Sequence, residues 1–114
     1  MKMMATIIVT GMLALLSSTQ VYAFAACHVA EAMGHAGKAQ AYAEMGNTKE
    51  ALQYAKESLA HAKEAKNEYG EDNKHMDQAI KSLEEVIKQA SLNYPKITAK
   101  HAEDALSHMR DSCR

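Results

Sequence analysis

Every histidine in the chain stands at the first position of a seven-residue pattern, and that register limits the fold more than any other feature. The pattern reads His28-Val-Ala-Glu-Ala-Met-Gly, then His35-Ala-Gly-Lys-Ala-Gln-Ala, then Tyr42. It resumes at Tyr54 and His61, continues at His75, Ser82 and Gln89, and closes at Tyr94, His101 and His108. Apolar residues follow at offsets one, four and five, as Ala102, Ala105 and Leu106 do behind His101. On a helix those offsets form one stripe, the side that must be buried. The lead position borders the stripe, as a g position borders a coiled-coil seam. Composition agrees: aromatic residues are 5% of the chain and Trp is absent, which argues against an all-β domain.

Turn signals divide the pattern into four pieces. Gly46-Asn47 ends the first, and Asn47 with Glu50 has capping-box spacing for the start of the second. Tyr69-Gly70-Glu71-Asp72 separates the second from the third, with Asp72 or Asn73 as N-cap. Ser91-Leu92-Asn93-Tyr94-Pro95 separates the third from the fourth, and Pro95 suits a first helical turn. The spacing predicts helices over 26–45, 48–68, 73–90 and 95–112. Loops this short make neighbours antiparallel, so the expected fold is all-α, an up-down-up-down four-helix bundle.

Residues 1–23 read as an address. Lys2 precedes an apolar run over 5–16, and Val21 and Ala23 stand where a secretory peptidase recognises small residues. The run is too short to span a bilayer, which takes about 20 residues. A signal peptide over 1–23 leaves a domain over 24–114 in an oxidising, periplasmic compartment, with no membrane attachment after cleavage. A start at Ala26, or lipidation at Cys27, stays open as an alternative. With 13 basic and 14 acidic residues, the chain has no electrostatic footprint for nucleic acid.

Two histidines seven apart are separated by about 10.5 Å of rise and cannot share an ion. A histidine and a carboxylate three or four apart can. Carboxylates stand at offset three in several heptads, including Glu31, Glu57, Glu64, Glu85 and Asp104. Glu31 lies between His28 and His35, and Asp104 between His101 and His108. A second helix must complete any shell. Antiparallel numbering puts His28 opposite His108 and His35 opposite His101 if the first and fourth helices share the seam. His61 and His75 would then pair across the second and third. Imidazole and carboxylate donors suit Cu(II), Ni(II) or Zn(II), with Cu(II) favoured by the Irving–Williams order. Tyr42, Tyr54 and Tyr94 are read as packing groups at the core border.

Cys27 opens the first helix and Cys113 closes the fourth, so an antiparallel bundle brings them to one end. A Cys27–Cys113 disulfide is the expectation, with a soft Cu(I) site as the competing reading.

The chain resembles the secreted small metal-binding proteins of the SmbP type. The likeness rests most on Tyr54-Ala-Lys-Glu-Ser-Leu-Ala-His61-Ala-Lys, Ala79-Ile-Lys-Ser-Leu-Glu-Glu-Val-Ile-Lys88 and Lys100-His-Ala-Glu-Asp-Ala-Leu-Ser-His108. The resemblance implies a periplasmic four-helix bundle that buffers divalent ions, copper above all, through His28, His35, His61, His75, His101 and His108. It implies a binding protein and not an enzyme, expected here as a monomer. At Tyr42, Tyr54, Ser82, Gln89 and Tyr94 the lead position has lost its imidazole, so fewer ions are expected.

Two other classes stand beside this reading. Residues 39–52 look like the turn of a tetratricopeptide repeat, which would make an interaction module, but that repeat needs about three copies at a 34-residue period. A structural bundle that has shed the metal role is the other. Phosphate loops, zincin pairs and serine elbows do not occur in the sequence.

Overall fold

The computed structural model describes residues 29–69 and 74–113. They form four helices: α1 (Ala30–Glu44), α2 (Thr48–Tyr69), α3 (Lys74–Ser91) and α4 (Pro95–Ser112). The all-α four-helix expectation holds, and the helix limits fall close to those predicted. The expected signal peptide, Cys27, His28 and the predicted break at 70–73 lie outside the described residues. Among the described residues, no helix is long and apolar enough to cross a membrane.

Two turns of one design close α1 and α3. Gly46 has φ +86°, its N–H donates to the Ala43 carbonyl, and the next N–H, of Asn47, donates to the Tyr42 carbonyl. Asn93 has φ +62°, donates to Ala90, and is followed by Tyr94 donating to Gln89. Both are Schellman motifs, in which a left-handed residue lets two N–H groups fold back onto the last free carbonyls. The turns touch. Thr48 Oγ1 donates to Asn93 Oδ1 at 2.6 Å, fastening the start of α2 to the end of α3.

Gly46 and Asn93 are 47 residues apart, and the same interval relates the two halves throughout. Ala39 corresponds to Val86 and Ala55 to Ala102, and these four residues form one buried cluster. Ala36 corresponds to Leu83 and Ala62 to Met109, all fully buried. The molecule is therefore two helical hairpins, α1–α2 and α3–α4, packed face to face. Hairpin one lines the core with small residues, Ala32, Ala36, Ala39, Ala43, Ala51, Ala55 and Ser58, while hairpin two supplies Met76, Leu83, Val86, Leu106 and Met109. Large residues of one hairpin thus lie against small residues of the other.

Except for Leu106, at offset five, these buried residues occupy offsets one and four of the heptads. Offset five is partly buried: Met33, Leu59 and Ile80 pack against the larger cluster. Ser58 Oγ donates to the Ala32 carbonyl at 2.6 Å, a contact from side chain to backbone that requires α1 and α2 to lie close. Small residues on both helices permit that approach.

Gly34 sits inside α1, and a Cβ there would meet nothing within 4 Å. Gly34→Ala should raise stability by about 0.5–1 kcal/mol through helix propensity. Gly46→Ala should lower it by about 1–2 kcal/mol, because its backbone is left-handed. Urea denaturation of the two variants checks the opposite signs.

Candidate metal centre

Because the lead position borders the stripe, each helix presents its histidines along one edge. In a four-helix ring the g edges of two helices face each other, and the e edges face the other neighbours. Here the g edges meet within hairpins. Tyr42 stacks on Tyr54, with ring centroids 5.4 Å apart, and His35 stacks on His61 at 5.2 Å with planes 6° apart. The partner numbers fall on α2 as they rise on α1, so these helices run antiparallel. In hairpin two, His75 and His108 stack at 6.2 Å and 28°. The e edges, with Met33, Leu59 and Ile80, are left to join hairpin to hairpin.

The expected seam pairing is thus corrected. His35 stacks on His61, where His101 was expected, and His108 stacks on His75, where His28 was expected. His28 lies outside the described residues. The heptad fixes which edge carries imidazole, but the hand of the bundle decides which neighbour that edge faces. The apolar character of offset five favoured the opposite choice, since the most hydrophobic edges pack where the two hairpins join.

Carboxylates close the first seam reciprocally. His35 Nδ1 lies 3.1 Å from Glu57 Oε2, and His61 Nδ1 lies 3.0 Å from Glu31 Oε2. The pairs cross between α1 and α2. Glu31 therefore serves the opposite helix, where it had been expected between His28 and His35. Asp104 is exposed on α4, and His101 is half-buried there. Glu57 gains a place at the seam that spacing alone had not singled out. Its signal was its offset, the same as that of Glu31.

The approach of Glu57 to His35 is not an aligned hydrogen bond. His35 Nδ1 and His108 Nδ1 are buried and make no hydrogen bond with any described atom. Such orphaned nitrogens cost free energy unless another group satisfies them.

The chain belongs to the family described as Small metal-binding protein, whose match spans residues 1–112. No curated protein matches it. The family takes its description from a bound metal and not from a reaction.

The residues fit that ligand in kind. Two imidazoles with two carboxylates, and an unsatisfied buried nitrogen on each hairpin, are donors for a divalent transition ion. They meet in pairs: among the described residues, no three His, Cys, Asp or Glu stand together closely enough to hold an ion. An ion at this seam would require the side chains to stand closer together than they do here.

Glu31 is 78% and Glu57 44% exposed, so their ion pairs should be screened by solvent. Glu31→Gln and Glu57→Gln should each change the stability of the metal-free protein by less than about 1 kcal/mol. Thermal unfolding in chelator checks this.

Proposed function

We propose that the protein binds and buffers divalent transition-metal ions in the periplasm, with copper its main ion and Ni(II) and Zn(II) as weaker competitors. The observation that carries the reading is the α1–α2 seam, where His35 and His61 stack with Glu31 and Glu57 at their Nδ1 atoms. These four residues would hold an ion on hairpin one, and His75 with His108 would hold one more weakly on hairpin two. His101, Asp104 and, beyond the described residues, His28 are auxiliary donors. The bound ion supplies no reaction in this reading. What matters is that neutral imidazole and carboxylate compete for it against solvent, and Cu(II) gains most from such donors. The mature chain acts as a monomer.

Calorimetric titration with Cu(II), Ni(II) and Zn(II) tests the reading. Copper should bind in the micromolar range or tighter. His35→Ala and His61→Ala should each weaken it about ten-fold or more, and His101→Ala much less. A protein that gives no heat with copper overturns the proposal.

We also propose a Cys27–Cys113 disulfide. Val29 and Met109, near the two cysteines in sequence, share one buried cluster, which supports the pairing. Closing nearly the whole mature chain would stabilise it by about 4–5 kcal/mol on loop entropy. Thiol titration of the secreted protein should find no free thiol, and reduction should lower the unfolding midpoint. Two free thiols would refute the bond.

A further inference from the structure

The rings at the first seam form a longer series than a metal site requires. From the turn outward, Tyr42 stacks on Tyr54 at 5.4 Å and 10°, Tyr54 on His35 at 6.3 Å and 19°, and His35 on His61 at 5.2 Å and 6°. Lys38 Nζ sits 5.3 Å from the Tyr54 ring centroid, against its face. Tyr54 also packs on the buried cluster of Ala39, Ala55, Val86 and Ala102, which anchors it. Four near-parallel rings thus run along one seam, fixed at the tyrosine end by core packing.

The second hairpin does not repeat this series. At the 47-residue interval, Tyr42 becomes Gln89, Tyr54 becomes His101 and His35 becomes Ser82, while His61 is matched by His108. Its imidazole pair, His75 with His108 at 6.2 Å and 28°, corresponds by that interval to His28 and His61, and the position of His35 is taken by a serine.

We infer that Tyr54, backed by Tyr42, is a positioning residue for the metal centre of hairpin one: its ring holds the His35 imidazole parallel to that of His61. The inference rests on the proposed metal binding. Tyr54 touches no ion. It limits the rotation of His35, so that less side-chain freedom is lost when an ion binds, as with the outer partners that orient metal-ligating histidines. His75 and His108 lack this support and make the weaker site.

The test compares Tyr54→Phe, which keeps a flat ring, with Tyr54→Leu, which keeps apolar bulk without one. Each is read metal-free, by the NMR shift of the His35 ring protons, and with Cu(II), by calorimetry and electron paramagnetic resonance. Tyr54→Leu should move the His35 resonances, weaken the tighter copper site about ten-fold and alter its spectrum, while Tyr54→Phe restores all three. The weaker site, removed by His108→Ala, should be unaffected by either. A Leu variant with parental His35 shifts, affinity and spectrum overturns the positioning role and leaves the metal reading intact. A parental protein that takes up no copper overturns both.

Discussion

The closeness of α1 and α2 governs the rest of the molecule. Ala32, Ala36, Ala39, Ala51, Ala55 and Ser58 bring so little volume to that face that a serine hydroxyl reaches the backbone of the facing helix. Long side chains there would hold the axes farther apart. Instead, the border residues are drawn together, and rings that would otherwise point into water lie against each other. The burial that holds the hairpin is supplied largely from across the interface, by Leu83, Val86, Leu106 and Met109 of the other half. One hairpin brings the approach and the other the apolar mass.

This division explains why the halves differ in chemistry despite a shared plan. The lead positions of hairpin one carry aromatic or imidazole rings at Tyr42, Tyr54, His35 and His61, a continuous column. Hairpin two interrupts the column with Ser82 and Gln89. A buried nitrogen without a hydrogen bond occurs in each, at His35 and His108. Membership in the small metal-binding protein family makes a metal ion the ligand class proposed for the two seams.

Much of the fold was legible because it is local. Gly46, Asn93 and Pro95 mark the ends of helices by backbone geometry that few other residues accept, and the structure places them there. The burial of offsets one and four follows from helical period alone. The site was half legible. Register put every histidine on one edge, but which neighbour that edge meets depends on the hand in which four helices close, and no short-range feature encodes it. The clue was indirect: Met33, Leu59 and Ile80 on the other edge are the more hydrophobic set, and they were needed between the hairpins. Tyr54 looked like packing because packing is half of what it does. Its contact with His35 appears only once α1 and α2 are in register.

The hydrogen bond from Thr48 to Asn93 has a mechanical meaning. It ties the two hairpins at their turns, while at the opposite end the chain itself joins them between Tyr69 and Lys74, and Lys66 Nζ pairs with Asp77 Oδ1 at 2.6 Å. The Tyr42–Tyr54 pair sits near the first tie and the His75–His108 pair near the second. A Cys27–Cys113 bond would add a second covalent link at that end. Redox state would then be felt most by the His75–His108 pair.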